Sequence, residues 1–304
     1  MKTYDIIIVG AGPGGLTAGI YAGRQGTKTL ILDKGLAGGI GREVPLMENY
    51  PGFDTISGFE LVEKMKLQCM KYVELHENEI VKNIEKNENK FLVTTHKDEY
   101  CGKTIILATG SSHKHLEIPG EEEYLGKGVS YCATCDGAFF KDKNVAVVGG
   151  GNTALDDALV LSFTSKKVYL IHRSDTFSGE KRLLEKLQEH DNVVFILDSE
   201  ITAINGSERL ESLGIRNKVS GEEQTLDVDA VFIAIGHVPD NKAFASLVEL
   251  DAYGYIKTDE NCATSCPGIY AAGDGRVKKV RQLTTAAADG TEAALAACDY
   301  IDLL

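Results

Sequence analysis

The sequence predicts an α/β fold with two Rossmann-like units, the second inserted into the first. Residues 4–33 follow the order strand, glycine-rich turn, helix and strand, and residues 144–172 repeat it. Gly10 and Gly149 hold equivalent places in the two units and lie too far apart for a solenoid repeat. Further apolar runs lie between the units and after the second one. This alternation of strands and helices is typical of parallel sheets covered by helices.

Length and composition fit this architecture and restrict the partners. The chain has 304 residues, enough for two domains, with 43% hydrophobic and 25% charged residues. Its net charge of -13 argues against binding to nucleic acid or to an anionic membrane. No apolar run reaches the roughly 18 residues of a membrane span. The N-terminus passes directly into the first strand without a cleavage site, so we expect a cytoplasmic protein.

The boundaries of the inserted unit follow from the remaining strands. Apolar runs at 91–95 and 103–110 end in a glycine and a polar loop, and the run at 231–240 ends in a similar turn. Both positions are interpreted as crossings between domains. We therefore expect a discontinuous first domain, 1–112 with 241–304, and a second domain at 113–240.

The first glycine loop predicts a dinucleotide site. Gly10, Gly12 and Gly15 fit G-x-G-x-x-G, with Pro13 inside the motif, after a strand and at the start of a helix. The glycines allow a tight turn, close approach to a pyrophosphate and close helix–strand packing, while the helix N-terminus presents N–H groups to the phosphates. Asp33 ends the second strand, where a carboxylate can accept hydrogen bonds from a ribose.

Two further motifs indicate which dinucleotide binds there. Residues 264–274, TSCPGIYAAGD, resemble the second FAD fingerprint of the two-dinucleotide flavoproteins. Ala108, Thr109 and Gly110 resemble the ATG motif of the same proteins. FAD is therefore the predicted cofactor of the first domain.

The second glycine loop predicts a nicotinamide-type site with weak selectivity chemistry. Gly149, Gly151 and Ala154 fit G-x-G-x-x-A between a strand and a helix. The position equivalent to Asp33 is His172, so no acid is present to bind a 2′-hydroxyl. Arg173 follows as the one adjacent cation for a 2′-phosphate, and its interpretation as a plain strand-end residue stays open.

The pair Cys132 and Cys135 forms a C-x-x-C that is interpreted as a redox disulfide. A zinc site would need two more ligands at suitable spacing, and Cys262 and Cys266 are spaced C-x-x-x-C, so no metal is predicted. A helix start after Cys132 would lower a thiol pKa, and Asp136 can donate or accept the proton of the second thiol. The other five cysteines are interpreted as structural, with Cys262–Cys266 as an alternative accessory redox pair.

Over essentially its whole length the sequence resembles the low-molecular-weight, bacterial-type thioredoxin reductases. The matching motifs are GAGPGG at 10–15, NYPGF at 49–53, ATG at 108–110, IPGE at 118–121, CATCDG at 132–137, GGGNTA at 149–154, IGHVP at 235–239, AAGD at 271–274 and RQLTTAAADG at 281–290. A cysteine pair just ahead of the second glycine loop separates this family from the larger glutathione-reductase-like enzymes, whose cysteines lie in the FAD domain.

The resemblance implies roles for individual residues and for partners. Cys132 would attack the disulfide of thioredoxin, Cys135 would face the flavin, and Asp136 would handle the proton. Further FAD contacts are implied at Gly39, Asn49, Asp274, Arg281, Gln282 and Leu283. Members of the family are usually homodimers whose two domains rotate between a disulfide-facing and a nicotinamide-facing arrangement.

Two departures from the family pattern affect the electron donor. Ser174 and Ser178 stand where the family has two further arginines for NADPH, and Ile40 replaces a glutamine near the flavin. We therefore expect ferredoxin or NADH as the donor, with residues 276–281 as a cationic docking surface for an acidic carrier. Alternatives are an ordinary NADPH-dependent thioredoxin reductase, a flavin-dependent dithiol oxidase using dioxygen, and a nucleotide-binding redox sensor.

Overall fold

The computed structural model describes residues 2–44, 47 and 49–304, except for the side chain of Cys135. The chain divides into two compact units, Met1–Ser112 with Val238–Leu304 and His113–His237. In the structure the chain returns to the first unit at Val238, whereas the sequence analysis placed this return at residue 241.

The N-terminal part of the first unit alternates strands and helices. Its elements are β1 (Lys2–Val9), α1 (Pro13–Arg24), β2 (Thr29–Leu32), α2 (Gly58–Cys69), β3 (Glu74–His76), β4 (Val81–Asn87), β5 (Lys90–Thr95) and β6 (Glu99–Leu107). β3, β2, β1 and β6 pair in that order and in parallel, and β5 and β4 continue the sheet in antiparallel pairing. The apolar residues Ile6, Ile7 and Ile8 are fully buried, as expected for a central strand covered on both faces.

The second unit holds a parallel sheet and a small antiparallel sheet. Its elements are β8 (Val129–Ser130), α3 (Ala133–Asp136), β9 (Asn144–Val148), α4 (Asn152–Ser162), β10 (Lys167–Ile171), α5 (Lys181–Gln188), β11 (Val193–Ile196), β12 (Ser199–Gly206), β13 (Leu210–Asn217), β14 (Glu223–Asp227) and β15 (Ala230–Ile233). Two short strands, β7 (Ser111–His113) and β16 (His237–Pro239), span the points at which the chain passes from one unit to the other. The parallel order is β11-β10-β9-β15-β8, and β12, β13 and β14 form the antiparallel sheet. β7 pairs with β16.

The C-terminal part completes the first unit with β17 (Ile269–Ala271) and α6 (Leu283–Asp302). β17 lies parallel to the second half of β6, next to residues 105–107. α6 packs against α1, and Gly290 allows the close approach because a Cβ there would overlap the carbonyl of Gly14. Among the described residues, no helix is long and apolar enough to cross a membrane.

The predicted α/β fold with two Rossmann-like units is confirmed. Both predicted strand–helix–strand units form, as β1-α1-β2 and β9-α4-β10. The alanine-rich stretch 286–297 lies within α6, which begins at Leu283 and ends at Asp302. Its first turn carries Gln282 as the N-cap in a capping box with Thr285, a signal that the alanine pattern does not contain.

Candidate functional site

The first glycine loop combines two tightly packed glycines with one open position. A Cβ at Gly10, where φ is +105°, would overlap the carbonyl oxygen of Ala108, and one at Gly15 would overlap that of Gly10. No described atom lies within 4 Å of the corresponding position at Gly12. Space therefore exists beside Gly12, where the motif would admit a pyrophosphate.

Asp33 ties the end of β2 to this loop. Its Oδ2 accepts a hydrogen bond from the Ala11 N–H at 2.6 Å, and its Oδ1 accepts one from the Gly35 N–H at 2.8 Å. Carboxylate oxygens each have a second acceptor site, so Asp33 can still accept from a ribose hydroxyl.

Residues that are distant in sequence meet beside the loop. A Cβ built on Gly39 would lie 3.7 Å from the Cα of Gly12. Asn49, in an exposed loop, donates its side-chain N–H to Gln282 Oε1 over 3.3 Å. Leu283 follows as the first residue of α6. The structure thus brings the predicted FAD residues of the 39–49 segment and of the α6 start onto the same unit as Gly12.

Asn241, which the sequence analysis missed, joins the ATG motif to the second fingerprint. The Thr109 hydroxyl donates to Asn241 Oδ1 over 2.6 Å. Asn241 is fully buried and donates to the carbonyls of Gly254, at 3.0 Å, and Gly275, at 2.7 Å. An asparagine directly after the Val-Pro-Asp turn was the available signal, because a polar residue at a domain crossing needs a partner once it is buried.

Two buried polar atoms of the second fingerprint lack partners among the described residues. They are Oδ1 of Asp274, an acceptor, and Nε of Arg281, a donor. Burial raises the pKa of the Asp274 carboxyl, against the opposing effect of Lys278 and Arg281. The Arg281 guanidinium lies over the Tyr255 ring, 4.1 Å from its centre. Unpaired buried polar atoms are costly, and a molecule with both hydroxyl donors and oxygen acceptors, as FAD has, would satisfy them.

The cationic run at 276–281 is less exposed than predicted. Arg276 and Lys278 each lie 2.7 Å from an oxygen of Asp289, and the three side chains are only 10–15% exposed. Asp289 Oδ2 also accepts the Gly273 N–H at 3.0 Å. The prediction of an open cationic docking surface is wrong for Arg276 and Lys278, because a buried carboxylate neutralises part of their charge and holds them inward.

The cysteine motif lies on a short helix after β8. Cys132 is half-buried, precedes the first residue of α3 and is disulfide-bonded, with its Sγ 3.4 Å from Thr134 Oγ1. Cys135 lies in α3, and its side chain is outside the described part of the structure. The predicted short helix is confirmed as the single turn α3.

Asp136 is held by Ser130, a residue that the sequence analysis did not single out. Ser130 Oγ donates to Asp136 Oδ2 over 2.6 Å and accepts the Cys132 N–H at 3.0 Å. The predicted proton carrier and the backbone of the predicted nucleophile are therefore joined through one hydroxyl.

A second polar network lies on the other side of the motif, around Tyr131. The Tyr131 hydroxyl donates to Glu121 Oε1 over 2.6 Å and lies 2.6 Å from His115 Nδ1. Glu121 is 4% exposed and accepts two backbone N–H groups. Burial alone would raise the pKa of Glu121, but the Tyr131 and backbone hydrogen bonds hold it below its usual value. The ring of His113 stacks on Tyr131.

The second glycine loop is closed by the segment that follows β10. The Gly150 carbonyl accepts the N–H groups of Ser178 and Gly179, at 2.9 and 3.0 Å, and the Ser178 hydroxyl at 3.1 Å. Gly151 is the N-cap of α4, and Ala154 is buried in its first turn. The Ser178 hydroxyl is thus hydrogen-bonded to the loop backbone.

The positions that would select a nucleotide hold little matching charge. His172 stacks on Phe177, with ring centres 5.0 Å apart, and its Nε2 lies 3.0 Å from the Thr176 carbonyl oxygen. Arg173 and Asp175 are both exposed. One cation beside one carboxylate is poorly matched to a 2′-phosphate, which arginine pairs bind best.

The remaining cysteines do not extend the redox site. Cys69, Cys101, Cys262, Cys266 and Cys298 are free thiols. Burial raises the pKa of Cys69 to about 12 and that of Cys262 to about 11, which keeps both thiols protonated. The structural interpretation of Cys69 and Cys298, buried in α2 and α6, is confirmed. No group of three or more metal-binding side chains occurs within the described ranges.

Comparison with known proteins identifies the family. The family described as pyridine nucleotide-disulphide oxidoreductase matches residues 4–290. The thioredoxin reductase of Treponema pallidum is 43% identical over 302 residues, which cover 99% of this chain and 98% of that protein. The crystal structure of Lactococcus lactis thioredoxin reductase in the FR conformation has a TM-score of 0.89 at 39% identity, covering 99% of this chain and all of the other. The chain belongs to the low-molecular-weight thioredoxin reductase family.

Membership in the thioredoxin reductase family gives the enzyme class and the cofactor. The chain is a flavoprotein oxidoreductase of the thioredoxin reductase type, and its cofactor is FAD. A ferredoxin-flavin thioredoxin reductase from Clostridium acetobutylicum is also similar, at 30% identity and a TM-score of 0.55 over the full length of both chains.

Proposed function

We propose that this chain reduces the disulfide of thioredoxin at Cys132–Cys135, with electrons from its FAD and from a donor other than NADPH. The observation that carries the first part is the disulfide-bonded Cys132 on a short helix beside Asp136, whose carboxylate Ser130 holds in place. The names of relatives that match this chain over its full length support thioredoxin as the substrate.

The dithiol chemistry uses residues of this chain. In the reduced pair, the Cys132 thiolate attacks one sulfur of the partner disulfide, and the other partner sulfur leaves as a thiolate. Cys135 then gives its proton to Asp136 and attacks the Cys132 sulfur of the mixed disulfide, which restores the Cys132–Cys135 disulfide and displaces the second partner sulfur as a thiolate. Asp136 passes its proton to this second thiolate and solvent protonates the first, so two electrons move from the cysteine pair to thioredoxin. FAD, when bound by the first unit, supplies the electron pair that reduces Cys132–Cys135.

An exposed aromatic side chain near the cysteines offers a docking point for thioredoxin. Phe139 lies in the 3₁₀ turn Gly137–Phe140 that follows α3, and it is 80% exposed. Phe139 follows the cysteine helix directly, and aromatic residues contribute a large share of the binding energy of protein interfaces. Phe139→Ala should therefore raise the KM for thioredoxin with little change in kcat.

The donor part of the proposal depends on the second glycine loop. Losing two arginine contacts of about 1.5–3 kcal/mol each would weaken NADPH binding by two to four orders of magnitude. Ser178 supplies no replacement because its hydroxyl is bonded to Gly150. The similarity to a ferredoxin-flavin thioredoxin reductase supports ferredoxin. NADH is the second candidate, although His172 offers no acid for its 2′-hydroxyl.

Anaerobic reduction of the purified protein, followed at the flavin absorbance band, tests the donor. We expect rapid bleaching by chemically reduced ferredoxin and slow bleaching by NADPH or NADH. Addition of oxidised thioredoxin should restore the band. A micromolar KM for NADPH with ordinary turnover would instead show an ordinary NADPH-dependent enzyme. Rapid reoxidation by air with a dithiol substrate, and none by thioredoxin, would favour the dithiol oxidase.

A further inference from the structure

Ser130 can form a hydrogen bond with Asp136 whether the Asp136 carboxyl is ionised or protonated. It ends β8, is 4% exposed and comes two residues before Cys132. Its Oγ contacts three groups: Asp136 Oδ2 at 2.6 Å, the Cys132 N–H at 3.0 Å and the Cys132 carbonyl oxygen at 3.3 Å. A serine hydroxyl has one proton and two acceptor sites, so it cannot donate to the carboxylate and to the carbonyl at once.

The three contacts define two hydrogen-bond patterns. When Asp136 is ionised, Ser130 donates to the carboxylate, and the short distance fits a charge-assisted hydrogen bond. When Asp136 is protonated, its own O–H donates to Ser130 Oγ, and the Ser130 proton turns to the Cys132 carbonyl. The Cys132 N–H stays bonded to Oγ in both patterns, so no heavy atom has to move.

We propose that Ser130 is a positioning residue that keeps the Asp136 carboxyl in place while Asp136 gains and then loses a proton. Its hydroxyl donates a hydrogen bond to the ionised carboxylate and accepts one from the protonated carboxyl. Ser130 neither gains nor loses a proton over the cycle, because it receives and gives hydrogen bonds while the transferred proton stays on Asp136 or moves to a thiolate. This inference rests on the proposed dithiol chemistry of the same site and extends it to a residue outside the C-x-x-C-D motif.

Removing the hydroxyl should slow proton transfer without affecting the cofactor. In the FAD-loaded enzyme, Ser130→Ala should lower kcat for thioredoxin about tenfold and leave the KM for thioredoxin and the rate of flavin reduction by the donor nearly unchanged. Ser130→Thr, which keeps the hydroxyl, should recover most of the rate. Ser199→Ala is the matched control, because Ser199 is 2% exposed in the same unit and its hydroxyl donates to the Leu197 backbone carbonyl.

The pH profile separates positioning from a general structural defect. Loss of the hydrogen-bond donor disfavours the ionised carboxylate, so one limb of the pH profile of kcat should shift upward in Ser130→Ala and stay in place in Ser199→Ala. Other titratable groups on this segment and on the elements beside it include Tyr131, Cys132 and, on α4, which packs against α3, Asp156 and Asp157, the latter influenced by His113. Asp157→Asn in both backgrounds identifies the limb that belongs to Asp157.

A thioredoxin-independent readout keeps this inference distinct from the proposed function. The holoenzyme is reduced with dithionite, and the pH dependence of cysteine alkylation by iodoacetamide is measured. A shifted profile in Ser130→Ala with no thioredoxin turnover in any variant would support Ser130 and contradict the proposed substrate. Ser130→Ala with the kcat and both pH profiles of Ser199→Ala would overturn the inference. If Ser130→Ala does not bind FAD, the same measurements are made on Ser130→Gly, which also lacks the hydroxyl.

Discussion

At the scale of single residues, Cys132 stands between two polar networks, one through Ser130 to Asp136 and one through Tyr131 to Glu121. Both networks bond residues next to Cys132, and Cys132 is itself half-buried. This arrangement suits a thiol that must bind, release and bind again in each cycle.

The roles of the two cysteines are tested by trapping. Cys135→Ser leaves Cys132 without its resolving partner, so we expect a lasting mixed disulfide with thioredoxin on a non-reducing gel. Cys132→Ser should trap nothing. Trapping by Cys132→Ser alone would reverse the assignment of the attacking thiol.

The burial of Asp157 predicts how the free energy of unfolding depends on pH. Burial, and then the charge of Asp156, raise the pKa of Asp157 to about 7, so its ionised form destabilises the folded state. The raised pKa of an acid makes stability fall as pH rises from the unfolded value near 4 towards 7. Asp157→Asn should therefore increase the free energy of unfolding by roughly 2 kcal/mol at pH 8, and by progressively less at lower pH.

Urea denaturation of the holoenzyme at pH 8 and pH 6 measures this effect. The control is Asp156→Asn on the same helix, whose side chain is exposed and whose effect should be smaller. An equal or larger gain at pH 6 than at pH 8 would contradict the assigned titration.

At the scale of elements, the two glycine loops are built alike. The Ala11 carbonyl of the first loop accepts the Gly38 N–H, and the equivalent Gly150 carbonyl of the second accepts the N–H groups of Ser178 and Gly179. A Cβ at Gly12 would meet no described atom within 4 Å, and one at the equivalent Gly151 would meet the Ser178 hydroxyl at 3.9 Å. The difference between the two sites therefore lies in the side chains that follow each loop.

The open position at Gly12 gives a simple test of the FAD site. Gly12→Val fills the space in which the backbone would approach the pyrophosphate, so we expect a folded but colourless protein. The measurement is flavin absorbance per chain, with circular dichroism as the check of folding. Full flavin content in this variant would show that the first loop does not bind FAD.

The second loop gives a gain-of-function test. Ser174→Arg with Ser178→Arg adds two cations next to Arg173 and should lower the KM for NADPH at least tenfold, with no such change for NADH. Ser207→Arg, at an exposed position between β12 and β13, controls for added charge in the same unit. An unchanged preference between the two nucleotides would show that the closed loop, and not the missing arginines, limits binding.

At the scale of the whole molecule, the first unit exposes several large apolar side chains in and just after two of its helices. Tyr21, Leu67, Met70 and Tyr72, in or just after α1 and α2, are 40–62% exposed. Together with the family membership, this surface supports the proposal of a homodimer.

Sedimentation velocity measures the oligomeric state. We expect a dimer for the unmodified protein and a shift towards monomer for Leu67→Asp, because a buried charge at an apolar interface is costly. Val219→Asp, at an 82% exposed position of the second unit, should leave the dimer intact. A monomer at micromolar concentrations of the unmodified protein would contradict the proposal.

The sequence by itself determined the features that depend on neighbouring residues. The period of apolar residues predicted β1-α1-β2 and β9-α4-β10, the glycine spacings predicted both loops, and C-x-x-C-D predicted the redox motif. These signals are local because a strand, a helix or a tight turn depends on residues a few positions apart.

Only the tertiary structure decided the contacts between distant segments. Asn241 with Thr109, Asp289 with Arg276 and Lys278, and the Ser178 hydroxyl with Gly150 all join residues that no local period relates. The sequence shows which hydrogen bonds or ion pairs a side chain is able to form. The tertiary structure decides which partner it meets, because burial and loop closure bring distant segments together. For that reason a run of four cations indicated a docking surface in the sequence, while in the folded chain two of them are held by a buried carboxylate.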